Sequence, residues 1–119
     1  MHVFRVQDKD GRGPWKPGFS HKWVEDRLDM ENLLPYFYEW PGFDIHTELR
    51  NDEHCGCGCL TIEQLRRWFT EAEYNRLRIL GYRAVRMNVD RVLRKSETQC
   101  VFARKRALRK GATEVALYA

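Results

Sequence analysis

YRAVRMNVDRVLRKSETQCVFAR, residues 82–104, is the stretch whose reading decides the fold class. Successive side chains of a strand point to opposite faces. In YRAVRMNV (82–89), Val85, Met87 and Val89 therefore share one face. In TQCVFAR (98–104), Thr98, Cys100 and Phe102 oppose Gln99, Val101 and Ala103. Residues 90–97 between them are charged and read as a connection, as do residues 105–111. Another strand-like segment, ATEVALYA (112–119), follows, making three strands in succession.

Immediately upstream the period changes. Thr61 followed by Gln64, and Thr70 followed by Glu73, have the spacing of capping boxes, in which the threonine and the later side chain satisfy each other's free backbone N–H groups. Leu65, Trp68, Phe69 and Ala72 recur at helical spacing, as do Tyr74, Leu77 and Leu80. Gly81 is a natural helix stop. The spacing predicts two short helices, or one bent helix, between residues 62 and 80.

Toward the N-terminus, HVFRVQ (2–7) reads as a short strand, with Val3, Arg5 and Gln7 on one face and His2, Phe4 and Val6 on the other. DKDGRGP then forces a turn. Residues 15–28 are irregular. Asp29 is placed to cap a short helix over MENLLPYFYEW, which Pro35 interrupts or restarts and Pro41-Gly42 ends. Residues 43–60 read as a loop leading into a short strand, HCGCGCL. The sum is an α+β protein, one domain over residues 1–119, with a mostly antiparallel sheet and two or three short helices.

Composition narrows the class. The chain is 43% hydrophobic and 13% aromatic, enough for one packed core, and its 32% of charged residues are of mixed sign. A net charge of +4 pulls weakly toward an acidic or nucleic-acid partner, and equally describes an ordinary surface. No stretch approaches about 20 apolar residues, and no basic segment precedes an apolar run at the N-terminus. The expectation is a cytoplasmic protein with no membrane partner. Of four cysteines, Cys55, Cys57 and Cys59 crowd into five residues, a layout that suits reduced thiols or a metal better than a disulfide framework.

Three constellations carry chemistry. Arg5 stands beside Asp8, Asp10, Arg12 and Pro14. An arginine fixed on a strand grips phosphate bidentately, and Gly11 and Gly13 allow a ligand close to the backbone; alternatively Arg5 pairs locally with Asp8 or Asp10. Glu97 and Gln99 are two positions apart, so both face one side of a strand, where a carboxylate and an amide suit ribose hydroxyls. A carboxylate beside a glycosidic bond also stabilises an oxocarbenium-like centre; the alternative is a solvated strand end. The third is His54-Cys55-Gly56-Cys57-Gly58-Cys59 with His46 upstream. Thiolates and imidazoles bind zinc, but on a strand alternate sulfurs stand about 7 Å apart, splayed for one tetrahedral ion. KRALRK (105–110) is a short basic run and a weak candidate for a nucleic-acid contact.

These pieces occur in a familiar order. FRVQDKDGRGPWKPGF (4–19) resembles the first-strand segment of ADP-ribosyltransferases of the cholera- and pertussis-toxin type. HCGCGCLTIEQLRRWF (54–69) lies where that family has a Ser-Thr-Ser strand and a helix. YRAVRMNVDRVLRKSETQCVF (82–102) is similar to its strand, acidic loop and Glu-x-Glu strand. The resemblance spans most of the chain. It implies NAD as cofactor, with Arg5, Asp10, Arg12, Cys57 and Cys59 on the NAD-binding side. Glu97 would be the first acid of the Glu-x-Glu pair and Gln99 would fall on the catalytic glutamate. Cys-Gly-Cys departs from Ser-Thr-Ser, and Gln99 lacks a charge, so either another acid such as Glu97 serves or the fold is reused for binding.

Small size and cytoplasmic character also suit an accessory protein of a bacterial virus, similar to anti-CRISPR proteins that look like ADP-ribosyltransferases. Three functions follow. The first is NAD-dependent mono-ADP-ribosylation of a host protein, such as one in a defence complex. The second is non-catalytic inhibition of such a complex by surface contact. The third is a zinc-stabilised nucleic-acid-binding module.

Overall fold

The computed structural model describes residues 1–15, 19, 22–24, 33 and 35–118. In chain order these form β1 (His2–Gln7), α1 (Tyr36–Glu39), α2 (Ile45–Glu48), β2 (His54–Gly58), α3 (Ile62–Trp68) and α4 (Glu71–Ile79). The remaining strands are β3 (Arg83–Asn88), β4 (Arg91–Lys95), β5 (Cys100–Arg104) and β6 (Thr113–Glu114). Two three-stranded sheets result, ordered β1-β3-β6 and β2-β5-β4, and every pairing is antiparallel. This is the expected α+β class. Among the described residues no helix is long and apolar enough to cross a membrane.

The two sheets are stitched at one point. Phe4 and Cys59 exchange backbone hydrogen bonds of 2.7 Å in both directions. That bridge lays β1 beside the end of β2 and sets Arg5 against the Cys-Gly-Cys segment. β1 also feeds both halves of the core. Val6 packs with Leu65, Phe69, Leu77 and Tyr82 under the helices, while Val3 packs with Val85, Met87 and Phe102 between the sheets. Arg5 and Gln7 lie on Val3's face by strand alternation, and both are buried.

The helical segment forms as two helices, each opened by a complete capping box, Thr61 with Gln64 and Thr70 with Glu73. Val85, Met87 and Val89 are all buried. Three differences from the sequence expectation have identifiable causes. Residues 90–97 are not simply a connection: β4 occupies Arg91–Lys95 and pairs with β5 as an edge strand. Its charges are matched from α2 and its flank, with Arg91 bonding Glu53 at 2.6 Å and Arg94 bonding Glu48 at 3.0 Å. α2 itself forms in the expected loop because the Asp44 side chain accepts from the His46 N–H.

At the C-terminal end only Thr113 and Glu114 pair with β3. Beyond them Leu117 is buried, and the Tyr118 hydroxyl donates to the Phe69 carbonyl at 2.5 Å, so side-chain anchors replace the ladder. In the expected helix over residues 30–40, α1 starts only after Pro35; Asp29 and residues 30–32 and 34 lie outside the described residues.

Candidate functional site: an arginine in an aromatic cleft

Arg5 points from β1 toward the Cys-Gly-Cys strand. It is 8% exposed, and its Nη1 and Nη2 donate to the carbonyls of Cys57 and Gly11, each at 3.3 Å. Its Nε has no partner among the described residues. The glycines of HCGCG explain how this is accommodated. A Cβ on Gly56 would stand 2.2 Å from Arg5 Nη1 and 3.0 Å from the Phe102 ring, and one on Gly58 would stand 2.9 Å from the Phe4 carbonyl. The glycines thus clear the face on which the guanidinium and Phe102 lie, with the Arg5 Cζ 5.9 Å from the ring centroid.

No carboxylate forms an ion pair with Arg5 among the described residues. The local alternative, an Arg5–Asp8 or Arg5–Asp10 pair, gives way to a different arrangement. Asp8 Oδ1 accepts from the Asp10 and Arg12 N–H groups, both at 2.9 Å, and shapes the turn. Burial lowers the Arg5 pKa from its ordinary value, partly opposed by Cys57 and Asp8. The thiols cannot serve as counter-ions. Burial pushes Cys57 up to about 11 and Cys100 up to about 12, and raises Cys55 and Cys59 as well.

Arg5 lines a cleft of about 470 Å³ together with Cys57, Cys59 and Gln99. Its walls are aromatic: Trp15, Tyr36, Phe37, Trp68 and Phe69. Trp15 packs edge-on against Trp23 with centroids 4.9 Å apart. The Trp68 indole N–H donates to the Thr98 carbonyl at 2.9 Å, so the ring is held where the cleft meets β5.

Gln99 sits just before β5 and is 5% exposed. Its amide donates to Glu39 Oε2 at 2.6 Å, while the Thr98 hydroxyl lies 3.0 Å from both Glu39 oxygens. The Ser96 hydroxyl accepts from the Thr98 and Gln99 N–H groups, at 3.1 and 3.3 Å. The Ser96 N–H bonds the Gln99 carbonyl at 2.9 Å, so Glu97 and Thr98 are the two turn residues joining β4 to β5. A turn does not alternate as a strand does. Glu97 therefore faces solvent rather than sharing Gln99's side, and its carbonyl accepts from Gln64 Nε2 at 2.8 Å.

Of the residues singled out by sequence, the structure brings Arg5, Cys57, Cys59 and Gln99 to one cleft and leaves Glu97, Asp10 and Arg12 outside it. Arg12 is exposed, and Asp10 borders a second cleft of about 400 Å³ with Glu53, His54 and Arg109. The missed residue is Glu39. Nothing in the spacing links it to a position 60 residues away; the only local hint is a carboxylate ending an aromatic run, YFYE.

For the zinc alternative, the four cysteines are free, and among the described residues no group of three or more His, Cys, Asp or Glu is arranged to hold a metal. Neutral buried thiols are also poor ligands. KRALRK folds over Arg104, whose guanidinium donates to the carbonyls of Asn88, Arg106, Ala107 and Lys110. Lys105, Arg106, Arg109 and Lys110 remain exposed.

Residues 1–116 match the family model described as Bacteriophage T4 Y00F protein. The chain belongs to this phage protein family. No curated protein and no solved structure matches it significantly. The Y00F match includes Arg5, Cys57, Cys59 and Gln99 of the cleft, and Glu39, which bonds Gln99. Phage origin agrees with the expectation from sequence; the family description carries no activity, and the chemistry must be argued from the cleft.

Proposed function

We propose that this Y00F-family protein binds NAD in the Arg5 cleft and acts in the host cytoplasm by transferring ADP-ribose to a host protein. The observation that carries the reading is a buried arginine with no carboxylate ion pair among the described residues, lining an aromatic cleft. A buried charge costs several kcal/mol unless it is paired, and an anionic ligand supplies the missing partner. Pyrophosphate is bidentate and doubly charged, which suits a guanidinium fork. Aromatic walls suit the flat adenine and nicotinamide rings. The three segments that resemble ADP-ribosyltransferases all contribute to this cleft, through Arg5, through Cys57 and Cys59, and through Gln99.

A second reading keeps a specific observation. Trp15, Phe37 and Tyr38 are exposed, the first two at the cleft, and Gln99 is neutral where the resembling enzymes carry a glutamate. Both suit a non-catalytic inhibitor that contacts a host defence complex through aromatic side chains.

The two readings separate on NAD. Trp15 and Trp68 line the cleft, so NAD titration is expected to quench tryptophan fluorescence in the wild type and not in Arg5→Ala. Labelled NAD incubated with a bacterial lysate should then mark a host protein only with the wild type. Absence of quenching at millimolar NAD removes the transferase reading. Inhibition of a host complex without NAD establishes the second.

A further inference from the structure

We infer that the turn after β1 (residues 8–12) and the β5–β6 loop (residues 105–111) form one basic surface that binds the phosphate backbone of duplex DNA without sequence preference. The inference is independent of the NAD reading, because neither segment lines the Arg5 cleft. The two segments are locked together at their bases. Gln7 Nε2 donates to the Leu108 carbonyl at 2.8 Å. Gly11, at φ +84°, approaches so closely that a Cβ there would stand 2.8 Å from the Arg109 nitrogen and 3.0 Å from Leu108 Cβ. Each segment is also fixed internally. The Asp8 N–H bonds the Arg12 carbonyl at 2.9 Å, and the Gly11 N–H bonds the Asp8 carbonyl at 3.0 Å. Arg104 is 3% exposed and donates to four main-chain carbonyls, three of them in the 105–111 loop, so the loop is built over a buried cation.

Lys9, Arg12, Lys105, Arg106, Arg109 and Lys110 are exposed, and among the described residues none of them forms an ion pair. By contrast Arg83, Arg91 and Arg94 each have a glutamate partner. The carboxylates belonging to this region are Asp8, Asp10 and Asp90. Six cations against three anions leave three positive charges, most of the chain's net charge of +4. Two of those anions are engaged by the backbone: Asp8 Oδ1 takes two N–H groups of its own turn, and Asp90 Oδ2 takes the Lys105 N–H at 2.7 Å. Glu53, which lines the second cleft beside Arg109, is neutralised by Arg91.

The composition of the two segments selects the partner. They contain no aromatic side chain on which single-stranded bases would stack, and no Asn or Gln to read base edges. Nor do they expose a large apolar side chain to anchor a protein interface or enter a bilayer, since Leu108 is half-buried. They offer charge alone, and charge alone fits the regularly spaced phosphates of a duplex, which release counterions when cations replace them.

The test is fluorescence anisotropy of a labelled duplex of about 30 base pairs and arbitrary sequence, titrated with the full chain at several salt concentrations. Wild type is expected to bind with micromolar affinity at about 50 mM salt, with a log–log salt slope of about −3.5 to −5.5, the value for about four to six phosphate contacts. The triple variant Lys105→Gln, Arg109→Gln, Lys110→Gln and the double variant Lys9→Gln, Arg12→Gln should each weaken binding about fivefold or more and flatten the slope by about one per lost contact. A control, Arg76→Gln with Lys95→Gln, removes as much charge as that double variant from exposed positions on α4 and β4 and should stay within about twofold of wild type. If the triple variant folds poorly by circular dichroism, the Lys9 and Arg12 variant decides alone. No binding by about 0.1 mM protein, or a control that loses as much as the loop variants, overturns the inference. So does competition by polyglutamate or by phosphatidylglycerol vesicles as effective as that of unlabelled duplex at equal charge, or tighter binding of a single strand. Each of these would assign the surface to another partner.

Discussion

Gly56 and Arg5 occupy mutually exclusive space: a Cβ at position 56 would sit 2.2 Å from Arg5 Nη1. The glycine is therefore a condition for the arginine's position, across two strands that belong to different sheets. Gly56→Ala must displace either the guanidinium or the Phe102 ring, which stands 3.0 Å from the same point. Overpacking of this kind costs about 1–3 kcal/mol. The expected outcome is a lowered urea midpoint together with weakened NAD binding. A variant of wild-type stability that still quenches normally with NAD would show that Arg5 has room to move.

On the NAD reading, Arg5 serves binding at the expense of stability. It is buried, it has no carboxylate ion pair among the described residues, and burial lowers its pKa. Replacing an uncompensated buried charge by an apolar side chain of similar length is neutral or stabilising. Arg5→Met is expected to change the unfolding free energy by less than about 1 kcal/mol, or to raise it, while abolishing NAD quenching. Urea denaturation and the NAD titration, run on one preparation, check both halves. A large loss of stability would make Arg5 a structural pin, through its bonds to Cys57 and Gly11, rather than a ligand contact.

Acid should weaken the anchoring of β4 through Glu53. The Arg91 hydrogen bond holds the Glu53 carboxyl at about 2, against an ordinary value of 4.5. A depressed carboxyl pKa adds stability above the unfolded-state value, and that stability is lost as pH falls through the folded-state value. The stability difference between wild type and Glu53→Gln should therefore be full at about pH 6 and shrink as pH falls from about 5 toward 2. Parallel denaturation curves across that range measure it. A difference independent of pH would assign the contribution of Glu53 to packing.

The cysteines should be slow to react in the folded protein. Burial pushes Cys57 up to about 11 and Cys100 up to about 12, so their thiolate fractions at about pH 8 are small. A disulfide-exchange reagent is expected to titrate all four thiols promptly in denaturant and to react with Cys57, Cys59 and Cys100 only slowly under native conditions. Prompt labelling of the native protein would show that the cleft opens.

Local chemistry was legible in the sequence. The threonine capping boxes at 61 and 70 satisfy backbone groups within three residues, so spacing alone places both helix starts. Val85, Met87 and Val89 declare a buried face because strand alternation needs no partner to be read. Arg5 and Gln99 were singled out from motif order, and the structure places both on one cleft.

β4 was hidden because its arginines look like a solvated link until Glu48 and Glu53 arrive from an element formed more than 35 positions earlier. Glu97 was taken for a strand residue because alternation gives no sign of where a hairpin turns, which the Ser96–Gln99 backbone bond determines. Glu39 carried only the slight local sign of a carboxylate ending an aromatic run. Period, capping and turn chemistry are written in contacts a few residues long, and those the sequence by itself determined. The cleft rests on contacts such as Arg5 to Cys57, and its Gln99 is held by Glu39, between segments 52 and 60 positions apart, which only the packing of the two sheets and α1 decided.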